Sequence, residues 1–81
     1  MPKLKVLSGS ELVGIFISLG FKIASQRGSH IKLVRFNEDD EKQVITIPNH
    51  VEIDKGTLKA ILRQTQKYVS NDLLKFYFYS K

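Results

Sequence analysis

Apolar residues in this chain change period twice, from the three-and-four spacing of a helix to strict alternation and back, and few folds satisfy both switches. The first helical stretch opens on Ser8-Gly9-Ser10-Glu11, the spacing of a capping box, in which the serine hydroxyl accepts a first-turn N–H and the glutamate reaches back to the cap. Leu12, Ile15, Phe16 and Leu19 then form one stripe, and Gly20 stands where a left-handed cap is wanted. A helix is predicted over about residues 9–19. Residues 21–26 alternate, with Phe21 and Ile23 on one side and Lys22 and Ala24 on the other, as a half-buried strand does. A polar turn at Arg27-Gly28-Ser29 leads into a second strand, residues 30–36, with Ile31 and Leu33 on one face and His30, Lys32 and Val34 on the other. An acidic loop, residues 37–42, returns the chain into a β-branched run, residues 43–47, which Pro48 ends.

The helical period then resumes. Asp54 is the expected cap of a helix over about residues 55–67, with Leu58, Ile61 and Leu62 as its buried stripe. Ser70 is placed to cap a last helix over about residues 71–79, whose Leu73, Leu74, Tyr77 and Phe78 need a surface to pack on. The expected architecture is α+β, in the order α-β-β-β-α: a three-stranded antiparallel meander, two principal helices on one of its faces, and a short C-terminal helix. Phe16, Phe21 and Phe36 are expected in the core.

Packing alone must hold this together. The 81 residues suit a single domain (1–81) and include no cysteine, so neither disulfides nor thiolate zinc ligands are available. Two histidines make a poor basis for a metal site, and neither a metal nor a cofactor is expected. The longest apolar stretch, residues 12–19, is broken by Gly14 and Ser18 and is far short of a membrane span. The N-terminus lacks the basic, apolar and small-residue succession of a secretion signal, which makes the cytoplasm the default expectation. Thirteen Lys and Arg against eight Asp and Glu give a net charge of +5. Four of the acids are consecutive, Glu38 to Glu41, so the remaining surface is more basic than the total and suits a polyanionic partner.

Chemistry is concentrated at Gly28-Ser29-His30. Histidine is the side chain whose unperturbed pKa, about 6.5, lets it exchange protons near neutrality. Here it follows a glycine turn and shares a neighbourhood with Arg27 and Lys32, an arrangement open to catalysis, although a triplet this short more often marks an ordinary exposed histidine. Lys55, Lys59 and Arg63, four apart, form a cationic row on the second helix that suits phosphates or a solvated face.

Taken in order, Ser8-Gly9-x-Glu11, Leu19-Gly20-Phe21, Gly28-Ser29-His30, Ile47-Pro48-x-His50 and the run from Gly56 to Gln64 resemble the HicA toxins, also called the YcfA family. The resemblance implies a fold like that of double-stranded RNA-binding domains and an mRNA interferase activity, with cleavage depending on His30. It also implies neutralisation by a HicB-like antitoxin. Two departures from the family pattern are Ile31, where a second histidine is frequent, and Thr65-Gln66, where Ala-Gly usually closes the second helix. Under this resemblance Arg27, Gly28, Ser29 and Lys32 contact the scissile RNA, Lys55 and Lys59 extend the RNA-binding surface, and no metal takes part. The second proton-transfer group is open, with His50 a candidate; weak sequence preference is expected because no aromatic is placed beside His30. The alternative is a non-cleaving double-stranded RNA-binding module that uses Lys55, Lys59 and Arg63. A third reading is a protein-interaction partner whose basic surface meets an acidic protein.

Overall fold

The computed structural model describes residues 3–80. Its elements are β1 (Lys3–Leu4), α1 (Gly9–Ser18), β2 (Lys22–Arg27), β3 (His30–Phe36), β4 (Lys42–Pro48), α2 (Lys55–Thr65), α3 (Asn71–Phe78) and β5 (Tyr79–Ser80). The α+β expectation is met, with an antiparallel sheet in the order β2-β3-β4. The α1 capping box is formed in both directions, Glu11 N–H to the Ser8 hydroxyl at 3.0 Å and Ser8 N–H to the Glu11 carboxylate at 2.9 Å. Gly20, at φ 94°, takes the left-handed turn that ends the helix.

One face of the sheet carries the core. Ile31 and Leu33 of β3 pair with Ile47 and Ile45 of β4, and all four are buried with Leu12 and Phe16 of α1 and Leu58, Ile61 and Leu62 of α2. Each such side chain taken from water contributes about 1.5–3 kcal/mol. Arg35 continues the inward alternation of β3 without being apolar. Its guanidinium donates to the Gln43 side chain at 2.7 Å and to the Leu19 and Tyr68 carbonyls at 2.8 and 3.0 Å, and lies 4.8 Å from the Phe21 ring centroid. One cation thereby ties together the end of α1, β4 and the segment after α2.

Three expectations need correction. Phe36 is 58% exposed rather than core, because the register that buries Ile31 and Leu33 sends the even-numbered residues of β3 to the opposite face. Ile23 is 54% exposed although Phe21 is buried: pairing shifts between Ile23 and Ser25 as in a β-bulge, and the helices lie against β4 rather than over β2. The second helix ends at Thr65, not near residue 67. The buried Thr65 hydroxyl returns to the Ile61 carbonyl at 2.6 Å, and a turn on the Thr65 carbonyl carries Val69 into the core.

The chain end also departs from a plain helix. α3, capped by Ser70, buries Leu74 and Phe78, while Leu73 is largely exposed; Tyr79–Ser80 then pairs antiparallel with Lys3–Leu4. Strands of two residues carry no readable period. Among the described residues, no helix is long and apolar enough to cross a membrane.

Candidate functional site

The β2–β3 connection is a two-residue hairpin: Arg27 and His30 pair directly, leaving Gly28 and Ser29 as the turn. Of the two turn residues only Gly28 has a positive φ, 55°, the type II′ pattern that matches strand twist and demands glycine at the first central position. The turn is anchored from two sides. Asn49 N–H donates to the Ser29 carbonyl at 2.5 Å, and Gly9 N–H, at the start of α1, donates to the His50 carbonyl at 2.8 Å. The His30 backbone is therefore fixed by the β-ladder, the β4–α2 loop and the α1 N-terminus together.

On the face opposite the core, the register lays side chains out in rows. Arg27, His30 and Pro48 form the first, Ser25, Lys32 and Thr46 the second, Lys22, Val34 and Val44 the third, and Phe36 with Lys42 the last. Four cations and no carboxylate stand in these rows. Ser25, Arg27, His30, Lys32 and Thr46 line one open depression of about 330 Å³, and all five are exposed. An imidazole held between an arginine and a lysine, with two hydroxyls beside it, can move a proton next to an anion whose charge the cations offset.

Of the residues singled out in the sequence, Arg27, Gly28, Ser29, His30 and Lys32 are brought together here. Space beside Gly28 is open, with nothing within 4 Å of where a Cβ would lie. His50 is exposed two residues past Pro48 and is not among the residues lining the depression. Lys55, Lys59 and Arg63 are exposed on α2, which packs on the core face, so they belong to the helical side of the molecule. Sequence reasoning missed Ser25 and Thr46, neutral residues identified only by their pairing with Lys32; a drawn hairpin register would have found them.

Neither the curated proteins nor the solved structures gave a match to the chain. The family model of the HicA toxin of bacterial toxin–antitoxin systems matches residues 9–66. That span holds α1, the whole β2–β3–β4 sheet with its cationic face, and α2. On a match covering most of its length, the chain belongs to the HicA family of toxins of bacterial toxin–antitoxin systems.

Proposed function

We propose that this chain is an endoribonuclease toxin that cuts mRNA in the cytoplasm, with His30 as its catalytic residue and a HicB-like antitoxin as its inhibitor. The observation that carries the reading is the depression shared by Ser25, Arg27, His30, Lys32 and Thr46 on the sheet face that the helices leave open. RNA supplies its own nucleophile. The 2′-hydroxyl gives its proton to the His30 imidazole, its oxygen bonds to the adjacent phosphorus, and the 5′-oxygen leaves with a proton from a second donor. The products are a 2′,3′-cyclic phosphate and a 5′-hydroxyl. Arg27 and Lys32 offset the charge on the phosphate oxygens, and the Gly28-Ser29 turn, open to solvent, admits close approach of the backbone. General acid–base assistance of this kind contributes about 10²- to 10⁴-fold. A HicB-like antitoxin carrying acidic groups complementary to this face would block the site and associate quickly.

The test is His30→Ala. His30 is exposed and its substitution leaves the core intact, so the variant keeps its unfolding transition while RNA cleavage and growth inhibition are lost. Undiminished cleavage by a folded His30→Ala protein would falsify the assignment. The competing reading, a binding-only module, draws on the exposure of Lys55, Lys59 and Arg63 along α2. It requires that the unmodified chain bind duplex RNA and cut none.

A further inference from the structure

The open sheet face does not end at the His30 depression. Two rows beyond Lys32 it presents Phe36, 58% exposed, opposite Lys42 on β4 and diagonal to Lys22 on β2. Phe36 lines a second open depression, of about 300 Å³, with Lys22, Ile23, Ala24 and Val34. Phe36 is the large aromatic of the cationic rows, and at its exposure it contributes little to the core. An aromatic face exposed between two lysines suits a ligand that is both planar and anionic. It stands six positions along β3 from His30, about 20 Å at the rise of a strand, a distance that several nucleotides of single-stranded RNA can span.

We infer that Phe36 is a base-stacking platform for single-stranded RNA bound along the open sheet face, several nucleotides from the phosphate at His30. This rests on the reading of the chain as a ribonuclease. Lys32 lies between the two positions, and Lys22 and Lys42 flank the ring, so phosphates of a strand running from His30 to Phe36 meet a cation at both ends and on the way. The acidic turn Glu38 to Glu41 begins two residues after Phe36 and repels any further phosphate, making Phe36 the last platform of the track. Stacking on an aromatic tolerates every base, so the platform adds affinity and a length requirement rather than a sequence code.

The chain has no tryptophan, which provides a clean reporter. Phe36→Trp in the His30→Ala background places a single indole on the platform in a protein that leaves RNA uncut. Titration with an oligouridylate long enough to span both positions should quench its fluorescence. A dinucleotide should not. In the same background Phe36→Ala and Phe36→Leu should weaken the long oligonucleotide about 5- to 150-fold and leave dinucleotide affinity at the level of the Phe36 protein. Equal affinities for the long RNA across Phe36, Ala and Leu overturn the platform while leaving the His30 assignment standing. So does a pattern in which these substitutions weaken only the antitoxin complex, which assigns the ring to a protein partner. If the His30→Ala protein binds no RNA and the unmodified chain cuts none, both readings fall.

Discussion

Alanine in place of glycine should act with opposite sign at two positions of the same helix. At Gly9 a Cβ would lie 2.5 Å from the Pro48 carbonyl oxygen, 2.8 Å from the Asn49 Cα and 3.0 Å from the His50 nitrogen. All three are backbone atoms, so no side-chain rotation relieves the contact; α1 or the β4–α2 loop must move. Overpacking costs typically 1–3 kcal/mol, and contact with backbone puts this site at the upper end. Displacement also loosens the Gly9 N–H to His50 carbonyl bond, at 2.8 Å, worth about 1 kcal/mol. Against this stands the lower unfolded-chain entropy of alanine, about 0.5–1 kcal/mol. The net for Gly9→Ala is a loss of about 2–3 kcal/mol, which for a domain this small lowers Tm by about 10–20 °C. At Gly14, in the exposed middle of α1, nothing lies within 4 Å of the added methyl. Gly14→Ala should therefore stabilise by about 0.5–1 kcal/mol. Thermal and urea unfolding of the two variants measures both. A Gly9→Ala protein as stable as the parent, or a destabilised Gly14→Ala, would refute the reasoning. Because Pro48 pairs with His30 and Asn49 holds the Ser29 carbonyl, the proposed function adds that Gly9→Ala should reduce RNA cleavage below the melting range.

Two further substitutions probe the frame. Arg35→Lys keeps the charge but cannot reach the Gln43, Leu19 and Tyr68 acceptors together, and should cost about 2–4 kcal/mol in urea unfolding; parental stability would show that the three-way bond is dispensable. Asp54 caps α2, accepting from the Thr57 hydroxyl at 2.6 Å and the Thr57 N–H at 3.0 Å, which hold its carboxyl below the ordinary 3.8. A depressed folded pKa adds stability above the unfolded value and loses it as pH falls through the folded one. Stability should therefore decline below about pH 4 more steeply in the parent than in Asp54→Asn. Equal acid limbs in the two proteins count against the ionised cap.

Much of this molecule is legible before folding because its signals are local. Ser8 and Glu11 announce α1, Asp54 and Ser70 announce α2 and α3, and the alternation of His30 to Phe36 separates the inner Ile31 and Leu33 from the outer His30 and Lys32. The failures share a different cause. Ile23 and Phe36 are hydrophobic and sit in good strands, yet burial depends on where the helices lie: Phe36, at an even position of β3, faces the side they leave open, and on the inner side they favour β4 over the β2 strand that carries Ile23. The pairing of Tyr79–Ser80 with Lys3–Leu4 spans nearly the whole chain and leaves no trace in either dipeptide. Nothing in the sequence marks Arg35 as a tie, since the three groups that accept its bonds come from three separate segments.

The geometry of the candidate site follows from the core. Nothing in the open-face rows selects the β2–β3–β4 register by itself, because a lysine or a histidine facing water is nearly indifferent to its neighbour across the sheet. Register is chosen by the buried pairs Ile31 with Ile47 and Leu33 with Ile45, and a slip of one residue would turn the two from one strand toward solvent while the two from the other stayed inside. Once those pairs are set, the pleat leaves His30, Lys32 and Phe36 no alternative to the opposite face. Thr46 must then stand beside Lys32, while the two-residue Gly28-Ser29 turn sets Arg27 beside His30, at spacings fixed to within the tolerance of a strand. A site assembled in this way needs few bonds among its own residues. It borrows rigidity from apolar packing on the other side of the same sheet, and its side chains stay free to meet a phosphate.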